Sequence, residues 1–201
     1  YAKLKNVYSI SVLDHWVNYE DRFVRRSITI HPNAIWVTDE YAYALALEVF
    51  PAVTIKRIGN AYIQSLITKL NNVIGEGVLY IAEPIRGDWN SCEGAEYEVL
   101  DYIKSSLKTL KIDKQIVIRP HPSEDPNKYS EYVKKNIEFT LSRNTELSAD
   151  IAKAELVLGL ESMALVVALK AGRRVVSCLP SWAPSCRLPH KGISHLKDMS
   201  E

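Results

Sequence analysis

The sequence predicts an α/β fold built on a mostly parallel sheet flanked by helices. Two observations carry that expectation. Short β-branched runs alternate along the chain with helix-length amphipathic stretches, the mark of βαβ units. The apolar runs at 78–82, 156–160 and 174–179 lack strict in–out alternation, as expected of strands covered on both faces.

The elements follow in order. Val7 to Leu13 and Ala34 to Val37 read as strands, and Glu40 to Phe50 as a helix with Asp39 as N-cap and Pro51 just past its end. Val53 to Ile58 is a short strand closed by Gly59-Asn60, a turn pair that tolerates positive φ. Residues 61–72 read as a helix crossing between two blocks. Val78 to Ala82 is a buried-type strand. Glu96 to Leu110 is a helix, with Val99, Leu100, Ile103, Leu107 and Leu110 at i, i+3, i+4, i+7 spacing. Gln115 to Arg119 is a strand, and Pro126, behind Asp125 as N-cap, is expected to open a helix to about Asn136. Ile137 to Thr140 is a short strand, Glu146 to Ala154 a helix and Leu156 to Leu160 a strand. Ser162 to Ala171 is a helix with Gly172 at its C-terminal cap, and Arg174 to Leu179 is the last clear strand.

Composition excludes several classes. The net charge of +1 leaves no broad footprint for nucleic acid or an anionic membrane. The hydrophobic fraction of 47% and charged fraction of 24% are those of a folded globular domain. Three Cys without a CxxC argue against a disulfide scaffold or a zinc site and suit a reducing, cytoplasmic compartment. The longest apolar run, Met163 to Leu169, is too short to span a bilayer, so no transmembrane segment is expected. Tyr1 to Lys5 carry no signal-peptide core.

Ligands of open parallel sheets bind beyond the carboxyl ends of the strands, so the chemistry is sought there. After the strand at 115–119 comes Arg119-Pro120-His121-Pro122. Two prolines hold His121 in an extended segment, where it can donate to a phosphate oxygen beside the fixed charge of Arg119. After 156–160 come Glu161 and Ser162, opening a helix whose free N–H groups attract an anion. Glu161 can accept from ribose hydroxyls, and Gly159 permits close ligand approach. Capping alone would also explain this pair. After 78–82 comes Glu83-Pro84-Ile85-Arg86-Gly87-Asp88, a carboxylate at the same sheet edge or simply a stiffened loop. In the first block Asp14-His15-Trp16 follows a strand, either as an acceptor-side base with a sugar-stacking aromatic or as a capping Asp with a half-buried Trp. Asp39 and Glu40 are explained by capping. Trp182 in the Pro/Ser-rich stretch 180–189 is expected to pack, and His190 and His195 to be exposed.

Common motifs are missing. Gly75-Glu76-Gly77 precedes a strand, so no GxGxxG fingerprint follows one, and no P-loop, GxSxG elbow or HExxH is present. Cys92, in a loop, and Cys178, in a buried strand, lack a His–base arrangement, so nucleophilic cysteine catalysis is not expected.

Taken together, a strand ending in RPHP, a Glu-Ser pair opening a helix about forty residues later, and AGRRVV leading into the last strand resemble a known pattern. It is the C-terminal nucleotide-binding domain of GT-B glycosyltransferases. The chain looks most like the bacterial surface-polysaccharide transferases, polysialyltransferase-like and Kdo-transferase-like, with CDP-glycerol glycerophosphotransferases as more distant relatives. IWVTD, a helix and VTIKRIGN are similar to the end of the N-terminal half of such enzymes. The similarity spans roughly residues 30–180.

The resemblance implies a Rossmann-like sheet in a GT-B C-terminal half plus a partial N-terminal half. The expected division is 1–64, an acceptor-side Rossmann-like segment, and 65–201, the nucleotide-sugar-binding domain, with the boundary in the polar stretch 64–77. It implies that His121 binds the donor phosphate and that Ser162 binds phosphate or nucleotide. Glu161 departs from the Ser-Ser or Thr-Ser pair common there and resembles the ribose-binding Glu of other GT-B enzymes. Arg119 and Glu83 complete the nucleotide-binding expectation. The catalytic residues expected are His121 and Asp14, the latter by position alone.

The implied partners are a nucleotide sugar, with a CMP-sugar favoured, and a glycan acceptor. No cofactor and no metal are implied, and the expected location is the cytoplasm, with a peripheral place at the inner face of the membrane as the alternative. Two other readings remain open, a nucleotide-sugar epimerase and a nucleotide-binding domain without catalysis. With a whole C-terminal half but only the last third of an N-terminal half, the sequence leads one to expect a truncated or reduced family member. Such a chain would bind donor better than it transfers, and alone would be inactive.

Overall fold

The computed structural model describes residues 2–70, 75–85, 89 and 94–199. The expectations at Cys92 and Arg86-Gly87-Asp88 lie outside the described residues. The chain divides into two compact units, Tyr1–Ser65 with Arg187–Pro189 and Leu66–Cys186 with His190–Glu201.

In the first unit β1 (Ile10–Leu13) is followed by a short antiparallel ribbon, β2 (Val24–Arg25) and β3 (Ile28–Thr29). Then come β4 (Ala34–Val37), helix α1 (Glu40–Val49) and β5 (Thr54–Arg57). Helix α2 (Ala61–Leu70) crosses the division after Ser65. The ribbon was not foreseen. Its turn residues Arg26 and Ser27 both take positive φ, the backbone of a two-residue hairpin loop, without the usual Gly or Asn. The three-stranded sheet is parallel in the order β1-β4-β5. Leu13, Ile35 and Val37 bury one face, as do Ala42 and Ala46 of α1. Phe50, just past α1, is the hub of an aromatic cluster. Tyr19 stacks on it at 6.1 Å between centroids, and Phe23 and His31 meet it edge-on at 5.3 Å.

Asp39 caps α1 as expected, its Oδ1 accepting the N–H of Ala42 at 2.8 Å. The Gly59-Asn60 expectation changes. Gly59 has no positive φ, and Asn60 instead caps α2, its Oδ1 accepting from Ile63 N–H at 3.0 Å.

The second unit is an α/β structure with a six-stranded, wholly parallel sheet. Its elements are β6 (Gly77–Ile81), α3 (Ala95–Ser105), α4 (Leu107–Leu110), β7 (Ile116–Arg119), α5 (Ser130–Lys135), β8 (Phe139–Leu141), α6 (Leu147–Lys153), β9 (Ala154–Gly159), α7 (Met163–Lys170), β10 (Arg174–Ser177) and β11 (Ile193–His195). The expected helix over 96–110 breaks at Ser106, and the one from Pro126 starts only at Ser130. There Asp125 Oδ1 takes the N–H of Asn127, so the segment begins as an Asx turn rather than as a helix. Strand β11, missed in the sequence, extends the sheet beside β10. Its approach also corrects His190: Ile193 N–H donates to the His190 carbonyl and the ring is buried.

The strand order is β11-β10-β9-β6-β7-β8. Counting strands within the unit, this is the doubly wound, Rossmann-like order 3-2-1-4-5-6. On one face Tyr80, Ile116, Ile118, Leu156, Leu158 and Val176 are buried against Val99, Leu100 and Ile103 of α3. Each fully buried aliphatic side chain contributes about 1.5–3 kcal/mol relative to exposure. On the other face α6 lies over β6 and β9, and α7 over β9 and β10. Helix α7 ends at Ala171, and Gly172 follows with φ +75°, the left-handed residue expected there. Trp182 packs against the core, as expected.

Candidate functional site

In a doubly wound sheet the connections leave in opposite directions on either side of one strand pair, and a crevice opens at that point. Here the pair is β6 and β9. The residues that follow these strands are Glu83 and Glu161-Ser162. Both carboxylate residues are buried, and Glu83 Oε2 accepts the backbone N–H of Glu161 at 3.0 Å. The sequence placed Glu83 and Glu161 at the same edge, and the sheet order makes them neighbours across 78 residues.

Ser162 is the N-cap of α7, with φ −77° and ψ 157°, yet its side chain makes no capping bond. Its Oγ is shielded from solvent and has no hydrogen-bond partner. A buried hydroxyl without a partner costs about 1–3 kcal/mol, so its persistence points to an occupant that would satisfy it. Gly159 just before is explained by packing rather than by ligand approach. A methyl there would lie 2.9 Å from Leu165 Cδ2 and 3.3 Å from the Ile81 carbonyl. The residue lets α7 settle on the sheet, which sets the position of Ser162.

On the far side of β6 lies β7, and beyond it the RPHP segment. The ends of β7 and β9 are two strand spacings apart, roughly 10 Å. His121 Nδ1 lies 2.7 Å from Ser123 Oγ and accepts the backbone N–H of Ser123 at 3.2 Å. A ring nitrogen that accepts a backbone N–H carries no proton, so the proton sits on Nε2, which is a donor. The segment is tied down by Glu124. Its carboxylate accepts from the His121 N–H at 3.2 Å, from Lys128 Nζ at 2.7 Å and from Tyr129 Oη at 3.4 Å. Lys128 also pairs with Glu96 at 2.7 Å. Burial opposes ionisation at Glu96, but the hydrogen bond and charge of Lys128 hold its carboxyl below the usual range.

Arg119 points elsewhere. Its guanidinium pairs with Asp150 of α6 at 2.5 Å and donates to the carbonyls of Asn144 and Thr145 at 3.1 and 2.8 Å. Asp150 also accepts from Ser142 Oγ at 2.8 Å and Asn144 Nδ2 at 2.5 Å. The charge next to His121 therefore fastens the end of β7 to the loop after β8 and to α6. Asp150, Ser123 and Glu124 escaped the sequence reading. A Ser two residues after a His is a local turn signal. Asp150, 31 residues from Arg119, carries no such signal.

Asp14 belongs to the first unit and is exposed at the end of β1. Its neighbour Trp16 is buried, with Nε1–H donating to both oxygens of Asp39 at 3.0 and 3.1 Å. The indole thus ties the end of β1 to the start of α1 and presents no stacking surface. Burial and the charge of Asp39 push the Tyr19 phenol up to about 12. In the second unit burial pushes the Cys178 thiol up to about 12, the opposite of an activated nucleophile.

Among the described residues no group of three or more His, Cys, Asp or Glu side chains is arranged to hold a metal ion. No helix among them is long and apolar enough to cross a membrane. No protein-family model matches the chain, and no curated protein matches it.

Proposed function

We propose that the second unit binds a nucleotide-activated sugar at the crevice between β6 and β9, and that the chain is a glycosyltransferase of GT-B type acting on a surface glycan. The observation that carries this reading is the unpartnered Ser162 hydroxyl at the start of α7, beside two buried carboxylates, at the switch point of the sheet. The chemistry divides by charge. Glu83 and Glu161 accept hydrogen bonds and repel phosphate, so they suit the hydroxyls of a ribose or sugar. Ser162 Oγ–H, the free N–H groups of α7 and the Nε2–H of His121 donate, so they suit the phosphate whose charge grows as the sugar departs.

Arg119 holds the end of β7 in place in this proposal and does not meet the nucleotide, since Asp150 and two carbonyls engage its guanidinium. A CMP-sugar is the first donor to test, on the strength of the resemblance to polysialyltransferases.

The test is isothermal titration of CMP, UDP and CDP into the chain and into His121→Ala. The proposal expects one nucleotide to bind and His121→Ala to weaken it at least tenfold. Equal affinity in both proteins would overturn the donor-site assignment. One observation favours a binding domain without transfer: the cation beside His121 is already paired, which lowers the positive charge left for a leaving phosphate. Nucleotide binding without turnover of any nucleotide sugar would select that reading.

A further inference from the structure

A second concavity lies in the same unit, on the face of the sheet that carries α6. There α6 and α7 cover β6, β9 and β10. Val117 and Thr140, paired in register on β7 and β8, stay half-buried, whereas Ile116 and Ile118 on the opposite face are fully buried. The space beside α6 is a cavity of about 260 Å³. It holds roughly nine water volumes, room for a compact molecule and less than a drug-sized ligand needs.

Its floor and walls are apolar, with Leu79, Val117 and Leu141 among them. Its charges are not balanced. Asp150 lines it, but that carboxylate is neutralised by Arg119 and hydrogen-bonded by Ser142 and Asn144. Arg143 and Lys153 also line it. Lys153 Nζ makes one long hydrogen bond, 3.3 Å to Asn144 Oδ1, and Arg143 has no carboxylate partner among the described residues. An apolar pocket flanked by two uncompensated cations is complementary to a molecule with an apolar body and one anionic group.

We propose that this cavity is a binding site for a small organic acid with a compact apolar body, separate from the crevice between β6 and β9. The acid group pairs with Arg143 and Lys153, and the body covers Leu79 and Val117. The site does not depend on the nucleotide reading, so either can fail alone.

The test uses benzoate as probe and benzyl alcohol as its uncharged counterpart, with amide signals followed by NMR in the full chain. Benzoate at millimolar concentration is expected to shift the signals of Val117, Leu141 and Asn144. Benzyl alcohol is expected to bind at least tenfold more weakly. The double variant Arg143→Gln with Lys153→Gln, changed only at exposed positions, is expected to keep the wild-type spectrum and lose benzoate affinity at least tenfold. Absence of shifts with benzoate, equal binding of benzyl alcohol, or undiminished binding in the double variant would each overturn the proposal.

Discussion

Arg119, partly buried, and Asp150, buried, form an ion pair, 2.5 Å between Nη1 and Oδ2, that joins the end of β7 to α6. The carboxylate also accepts from Ser142 and Asn144, so three donors converge on it. Breaking such a pair from one side leaves a buried charge unpaired. Asp150→Ala should therefore lower stability by about 3–5 kcal/mol, measured by urea unfolding followed by circular dichroism. A loss under about 1 kcal/mol would mean that the pair behaves as a solvated surface bridge.

Ser162→Ala should separate stability from binding. The hydroxyl caps no N–H and is already without a partner, so its removal relieves a desolvation penalty instead of breaking a bond. The melting temperature should stay the same or rise, while nucleotide affinity falls about tenfold. A drop in melting temperature typical of a lost cap, with affinity intact, would show that the residue serves only the helix.

Alkaline pH should destabilise the second unit through Cys178. The folded thiol keeps its proton up to about 12, against an ordinary value of 9.0. Between these values the unfolded chain has released the proton and the native one has not. This contribution is thus complete below pH 9 and is lost as pH rises toward 12, by about 1.4 kcal/mol per pH unit. Stability measured from pH 8 to 10.5 should fall less steeply in Cys178→Ala than in the wild type. Parallel curves would contradict a thiol held neutral by burial.

Local signals in the sequence were enough for the alternation of strands and helices. Asp39 as a cap, the αL residue Gly172 and the apolar face of α3 are all carried by residues within a few positions of one another. What depends on distant partners was not legible. The switch point exists because β9 pairs with β6, and no local pattern says which earlier strand a buried strand will join. Trp16 reads as half-exposed until Asp39, 23 residues on, takes its indole N–H. His190 looks like a surface residue until β11 pairs with β10 beside it. Pro126 signals a helix start, but Asp125 spends its oxygen on the next turn, and the helix waits four residues.

The central position of β6 also has a consequence for the order in which this sheet can assemble. Strands β6, β7 and β8 are contiguous in the chain and can pair as soon as they are made. The other edge of β6 closes only when β9 arrives, some 75 residues later. During synthesis at about 5–20 residues per second, that edge stands open for roughly 4–15 s. It is a short, apolar, uncharged strand, the kind of template that recruits foreign strands. Aggregation of this protein should therefore be governed by the interval before β9 docks, and slowing translation after β8 should worsen it.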